Sequence, residues 1–132
     1  MVLVDSNVLI DVLSDDPDWA DWSQARLLEA FAEEALAINP IIYAEIGAAY
    51  RTANALERAL DPWPLTRLPL PYEASWLASR AYLRYRKRGG GKIAPLPDFY
   101  IGAQAQIGKL TLLTRDAARY RTYFPKVTLI SP

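Results

Sequence analysis

Short runs rich in apolar residues, alternating with helix-like segments, constrain the fold of this 132-residue chain more than any other feature. The first run, Val2 to Val4, has no polar residue, and further runs cover residues 36–38, 65–68, 110–113 and 127–130. Runs of this kind are typical of strands in parallel sheets, whose two faces are both covered. We therefore predict an α/β protein with a central parallel sheet of four to five strands flanked by helices.

The predicted helices are bounded by Pro, Gly and Asn residues. They cover residues 7–13, 19–34, 40–53, 54–60, 71–88, 98–108 and 117–123. In the second helix, we expect Trp22, Ala25, Leu28 or Glu29, and Ala32 to lie along one side. Asn39 is predicted to be the N-cap of the third helix. Strand 65–68 is predicted to be an edge strand because prolines flank it. No repeat or linker is visible, so residues 1–132 are predicted to form a single domain.

The chain has no His and no Cys, which limits its chemistry. It excludes Ser-His and Cys-His triads and His-based ribonuclease chemistry. Any metal ligands must be oxygens, which favours Mg²⁺, Mn²⁺ or Ca²⁺ over Zn²⁺. The apolar start is too short to span a bilayer and lacks the basic region of a signal peptide. We expect a soluble, cytoplasmic protein with no membrane association.

Charge is divided unevenly along the chain although the net charge is zero. Residues 1–62 carry twelve acids and three bases, and residues 63–132 carry three acids and twelve bases. Such asymmetry can indicate a polyanionic partner, but the two halves could equally attract each other in the fold. The candidate phosphate-binding residues are Arg84, Arg86, Arg88 and Lys92.

Two aspartates follow predicted strands. Asp5 comes directly after the first strand, and Asp116 comes soon after the run 110–113. Parallel strands joined by right-handed crossovers end at the same edge of the sheet, where ligands bind. For each aspartate alone, capping of the next helix is the alternative explanation.

Two further acids stand out from their surroundings. Glu45 is the only charged residue from Pro40 to Tyr50, and its helical neighbours are apolar. A carboxylate there is costly unless it is paired or binds a metal, and an ion pair with an arginine is the alternative. Asp98 opens a helix after six bases and no acids in residues 74–97, and a helix cap is again the alternative. Carboxylates that converge repel each other, and cations such as Mg²⁺ offset that repulsion and can activate water in phosphodiester cleavage.

These residues lie in four motifs that resemble those of the PIN-domain nucleases, most closely the VapC toxins of toxin–antitoxin pairs. The motifs are Val2-Leu3-Val4-Asp5-Ser6-Asn7, Tyr43-Ala44-Glu45-Ile46, Leu96-Pro97-Asp98-Phe99-Tyr100-Ile101-Gly102-Ala103 and Leu113-Thr114-Arg115-Asp116. The resemblance implies a PIN fold and an endoribonuclease that depends on Mg²⁺ or Mn²⁺. It also implies an RNA substrate, a small antitoxin partner and a homodimer.

The resemblance assigns roles to individual residues as well. The acidic quartet that holds metal and carries catalysis would be Asp5, Glu45, Asp98 and Asp116. Asn7 and Thr114 match positions that orient carboxylates or waters. Ser6 stands where Thr is common, which keeps the hydroxyl.

Several other interpretations were open from the residues. The run Gly89 to Lys92 fails the phosphate-loop pattern and instead suggests a flexible tether that could close over substrate. A phosphatase with Asp5 as nucleophile would have a second Asp where Asn7 stands. A PIN-like module that binds RNA or protein without cleavage, and a housekeeping RNA-processing nuclease, are the remaining alternatives. Tyr82 and Tyr85 are candidates for stacking on bases.

Overall fold

A computed structural model describes all residues from Met1 to Pro132 and contains one five-stranded parallel sheet. The strands are β1 (Val2–Val4), β2 (Leu36–Ile38), β3 (Leu65–Arg67), β4 (Thr111–Leu113) and β5 (Leu129–Ile130). Their order across the sheet is β3-β2-β1-β4-β5. The predicted α/β class, the parallel sheet and the edge position of β3 are confirmed.

Seven helices cover the sheet. They are α1 (Ser6–Leu13), α2 (Ala20–Glu33), α3 (Pro40–Gly47), α4 (Ala53–Leu60), α5 (Tyr72–Lys87), α6 (Pro97–Gly108) and α7 (Ala118–Tyr123). No helix is long and apolar enough to cross a membrane.

The strand order places the candidate acids together. From β1 the chain builds outward through β2 to β3, then returns to add β4 and β5 on the other side of β1. Val4 is paired with Leu113, so the residues that follow β1 and β4 leave the sheet side by side. This switch in direction is where ligands bind in open parallel sheets.

The strands read as uninterrupted apolar runs because both faces of the sheet are covered. Leu3 and Val4 of β1, Leu36 of β2 and Leu112 and Leu113 of β4 are all fully buried. They belong to one core cluster that also includes residues of the helices on both sides of the sheet. The rigid centre of the sheet therefore fixes the backbone directly before Asp5.

Helix α2 uses a different face from the one that was predicted. Its buried residues are Ala20, Ser23, Leu27 and Ala30, whereas Leu28 is 57% exposed. The reason is that the Ser23 hydroxyl donates to Asp11 Oδ2 at 2.8 Å, and this hydrogen bond lets a polar residue occupy the buried side.

The third predicted helix was too long. Helix α3 starts as predicted, with Asn39 Oδ1 accepting from the Ile42 backbone N–H at 2.8 Å, but it ends at Gly47 instead of residue 53. Helix α4 then starts after Thr52, whose hydroxyl oxygen accepts from the Ala55 N–H at 3.1 Å. An N-cap is a competing signal that interrupts a run of otherwise helix-compatible residues.

Candidate active site

Asp5 is a buried carboxylate surrounded by hydrogen-bond donors. It is only 3% exposed. Its Oδ1 accepts from the Ser6 backbone N–H at 2.8 Å, and its Oδ2 accepts from the hydroxyls of Thr114 at 2.8 Å and Tyr120 at 2.9 Å. Burial raises the pKa of Asp5, the donors oppose that rise, and the charge of Asp98 adds to it. Asp5 is the N-cap of α1, so capping and a site role coincide here.

Asp98 faces Asp5 across one hydroxyl group. It lies in the first turn of α6, with its side chain 30% exposed. Its Oδ1 is 3.3 Å from Tyr120 Oη, and its Oδ2 is 3.4 Å from Arg119 Nη1. Burial raises the pKa of Asp98, Arg119 lowers it, and the charge of Asp116 raises it again. The side chain of Asp98 caps no helix, because the N-cap of α6 is Leu96.

Glu45 lies on α3 and contacts Ser6, the residue directly after Asp5. It is half-buried, and its Oε1 accepts from the Ser6 hydroxyl at 3.0 Å. Burial raises its pKa, and the charges of Asp5 and Asp98 raise it further. None of the arginines forms an ion pair with Glu45. The alternative explanation of this acid as half of an Arg ion pair is therefore wrong.

Asp116 is the most open of the four acids. It is exposed, and its backbone N–H donates to the Thr114 hydroxyl oxygen at 3.1 Å. The N-cap of α7 is Ala117, so the side chain of Asp116 does not cap that helix. Its charge reaches Asp98, whose pKa it raises. The Asp116 carboxylate is thus free to face a ligand.

The three predicted support residues all contact the acids. Ser6 contacts both Asp5 and Glu45. The Asn7 side-chain amide is 3.4 Å from Asp5 Oδ2 and 3.4 Å from Thr114 Oγ1, and its Oδ1 accepts from a backbone N–H at 3.1 Å. Together with Thr114, they hold Asp5 in one orientation, as supporting residues around a metal ligand do.

The donor set suits a hard divalent cation, although it is not a closed cage. All the acids supply oxygen, and no group of three acidic side chains converges closely enough to hold an ion unaided. Mg²⁺ keeps several waters and uses one or two carboxylates, a requirement that the pair Asp5 and Asp98 fits. Burial and neighbouring carboxylate charge raise the pKa values of both groups, and a bound cation would oppose that rise.

A polar cleft of about 410 Å³ opens beside Asp98 and Asp116. Two cations line it, Arg88 from the end of α5 and Arg119 from α7. The Arg84 guanidinium instead donates to the Tyr123 carbonyl at 3.1 Å, and Arg86 donates to the Lys92 carbonyl at 2.9 Å. Of the four basic residues singled out in the sequence, only Arg88 reaches this cleft.

The segment after α5 is held by its neighbours. The backbone of Lys92 contacts three side chains of α5, those of Tyr82, Tyr85 and Arg86. The rings of Tyr82 and Tyr85 stack with centroids 6.5 Å apart, and Tyr85 packs edge-on against the buried Phe99. Both tyrosines thus support the core, and only Tyr85 also lines the cleft.

Sequence reasoning missed three residues around the site. Tyr120 links Asp5 and Asp98, and Arg119 contacts Asp98. Arg115 forms a forked ion pair with the buried Asp11, at 2.8 and 2.9 Å, between the site loop and α1. No helical periodicity singled out Tyr120, because Asp116 precedes the helix that carries it.

Several solved structures resemble this chain over nearly its full length. A chain of VapBC2 from Rickettsia felis, bound to a DNA fragment from their promoter, has a TM-score of 0.74 at 17% identity and covers 99% of this chain and 98% of that chain. A toxin–antitoxin complex from Klebsiella pneumoniae has a TM-score of 0.68 at 23% identity, with coverage of 97% and 96%. FitAB bound to an IR36 DNA fragment has a TM-score of 0.65 at 26% identity, with coverage of 100% and 95%.

Sequence comparison identifies the family directly. No curated protein matches the chain, but the family model of the PIN domain matches residues 2–125. The match confirms the predicted PIN-like fold and supports a nuclease. The chain belongs to the PIN-domain family.

Proposed function

We propose that the chain is a metal-dependent endoribonuclease and the toxin of a VapBC-type toxin–antitoxin pair. Asp5, Glu45, Asp98 and Asp116 would carry catalysis and hold Mg²⁺ or Mn²⁺. Ser6, Asn7 and Thr114 would support them. The alternatives that remain are a PIN-like module that binds without cleaving and a nuclease of housekeeping RNA processing.

One observation carries the proposal. Burial raises the pKa values of three acids from distant parts of the chain, Asp5, Glu45 and Asp98, and the charge of a neighbouring carboxylate raises each of them further. Keeping such groups close is unfavourable in the absence of a cation. A fold that retains this arrangement at the switch point of its sheet is best explained by use of the site.

The acids would have different tasks. Asp5 is fixed by its donors and would be the anchoring ligand, with Asp98 opposite it. Asp116 and Glu45, which are held by fewer contacts, would orient water or take up a proton. A bound Mg²⁺ or Mn²⁺ would lower the pKa of a water and offset negative charge on the phosphate that is attacked.

The cleft offers a path for the RNA backbone. Arg88 and Arg119 stand on the same side as Asp98 and Asp116 and can pair with phosphates on either side of the scissile bond. Arg84, Arg86 and Lys92 are exposed and lie farther along the same basic segment, where they would extend the phosphate contacts. A polyanionic substrate would in this way account for the excess of bases in residues 63–132.

The partner proposal rests on similarity to known pairs. The solved relatives include VapBC2, FitAB and a toxin–antitoxin complex. By analogy, this chain would bind a small antitoxin that inhibits it and would form a homodimer. Purification from cells that lack the antitoxin gene is therefore needed before activity is measured.

Cleavage of total cellular RNA by the purified chain tests the function. We expect discrete fragments in Mg²⁺ or Mn²⁺, no fragments in EDTA, and none from an Asp5→Asn variant. Asp18→Asn, which removes the same charge from an exposed loop, is the matched control and should cleave normally. Intact RNA from an antitoxin-free protein that binds Mn²⁺ would instead favour the binding module.

A further inference from the structure

We propose that Tyr120 is a positioning residue whose hydroxyl orients Asp5 and Asp98, the two carboxylates that would hold a divalent cation. This inference rests on the proposed metal-dependent function. It attributes the relative position of the two carboxylates, before any metal binds, to the hydroxyl of Tyr120, which would not itself bind the metal.

The position of Tyr120 is determined by the core, not by the site. Its ring is 1% exposed and belongs to the same apolar cluster as the central strands. Only the hydroxyl emerges from that cluster, and its hydrogen-bond partners are Asp5 at 2.9 Å and Asp98 at 3.3 Å. A rigidly packed ring therefore presents one polar atom between two carboxylates from different parts of the chain.

The hydroxyl serves two acceptors with a single proton. A phenol has one O–H to donate, and the shorter distance assigns that proton mainly to Asp5. Asp98 receives the weaker contact and is steadied by Arg119 at 3.4 Å. Given ordinary angles at the hydroxyl oxygen, the two carboxylate oxygens are about 5 Å apart. Asp5 is thereby fixed, while Asp98 keeps some freedom to adjust to a ligand.

The core packing at position 120 does not require the hydroxyl, so phenylalanine could replace Tyr120 there. A phenyl ring would fill the same space in the core, and a buried hydroxyl is unfavourable unless it is hydrogen-bonded. Thr114 donates to Asp5 but not to Asp98, so Tyr120 is the side chain that connects the pair. Loss of this hydroxyl should thus affect the separation of the two acids more than the fold.

Mn²⁺ binding by isothermal titration calorimetry on the full chain tests the role. We expect Tyr120→Phe to weaken Mn²⁺ binding about tenfold, as loss of a supporting hydrogen bond does in other metal sites. Tyr100→Phe is the matched control. Tyr100 lies two residues after Asp98 on the same helix and is half-buried. Its hydroxyl forms no hydrogen bond to the acids, so the Kd of this variant for Mn²⁺ should be unchanged.

A double-mutant cycle separates positioning from a structural effect. If Tyr120 acts through the Asp5–Asp98 pair, adding Tyr120→Phe to Asp98→Asn should weaken Mn²⁺ binding much less than adding it to the wild type. At saturating Mn²⁺, Tyr120→Phe should also recover most of its RNA cleavage, because the effect lies in metal affinity.

The outcomes are distinguishable. An unchanged Kd for a folded Tyr120→Phe, or the same loss in both backgrounds, would overturn the positioning role. A wild type that binds no Mn²⁺ would overturn the proposed function, and the positioning role with it. Near-UV circular dichroism reports on folding, and trimethylamine N-oxide, which favours the compact state, permits the titration if the variant is unstable.

Discussion

Replacing Asp98 with Asn should stabilise the metal-free protein at neutral pH. The Tyr120 hydroxyl lies 2.9 Å from Asp5 Oδ2 and 3.3 Å from Asp98 Oδ1. With ordinary angles at that hydroxyl the two oxygens would be about 5 Å apart, which corresponds to a repulsion of about 3 kcal/mol at an effective dielectric constant of about 20. Arg119 and the 30% exposure of the Asp98 side chain offset part of that repulsion. We expect the variant to gain about 1 to 2 kcal/mol in free energy of unfolding, a rise in Tm of roughly 4 °C per kcal/mol.

The gain should depend on pH in a defined direction. Folding raises the pKa of Asp98, chiefly through burial. The contribution of such a group to stability is fully present below its unfolded pKa, near 4, and is lost as pH rises through the folded value. The variant and the wild type should therefore be about equally stable near pH 4, and the variant should be more stable at pH 7.5.

Urea unfolding in EDTA at several pH values measures this difference. Asp18→Asn provides the control, because it removes an exposed carboxylate outside the site and should leave the pH profile unchanged. Added Mg²⁺ should stabilise the wild type by mass action and the Asp98→Asn variant less. A variant that is less stable than the wild type at pH 7.5 without metal would refute the reasoning that these carboxylates repel each other.

Three further outcomes follow from the structure. Arg88→Gln and Arg119→Gln should each weaken RNA binding and reduce its salt dependence by about one ion. Arg121→Gln, on α7 like Arg119 but outside the cleft, should change neither. Fluorescence anisotropy across salt concentrations measures both quantities. Arg115→Met should lower the free energy of unfolding by about 3 kcal/mol in urea titrations, because it leaves Asp11 buried without its cation, and a loss below about 1 kcal/mol would contradict that. Gly102→Ala should destabilise the protein by about 1 to 3 kcal/mol despite the better helix propensity of Ala, because the added carbon would lie 2.4 Å from the Phe124 ring. Gly91→Ala, which has open space around it, should show no such loss of stability. Thermal unfolding measures both variants.

The sequence predicted the sheet well because its central strands are covered on both faces. Residues such as Leu3 and Leu112 are fully buried, and an unbroken apolar run is the pattern that such burial imposes. The positions of Asp5 and Asp116 at strand ends then followed from the topology of parallel sheets. The proximity of Glu45 and Asp98 to Asp5 did not follow from that topology, because both acids lie on helices.

The failures arose where a side-chain contact decided the structure. Nothing in the pattern of α2 shows that Ser23 is buried, since its place depends on a hydrogen bond to Asp11. The start of α4 depends on Thr52, whose capping signal stood within a run of helix-compatible residues. The roles of Arg119 and Tyr120 depend on how α7 packs against α6, which periodicity along one helix does not specify.

An anomalous diffraction map of crystals soaked in Mn²⁺ tests the central claim most directly. We predict a peak at the carboxyl end of β1 whose protein ligands include an oxygen of Asp5 and an oxygen of Asp98. The same soak of Asp98→Asn crystals should show a weaker peak or none. Saturating Mn²⁺ that leaves this site empty in the wild type, or that binds only elsewhere, would contradict the assignment of these acids as the metal centre.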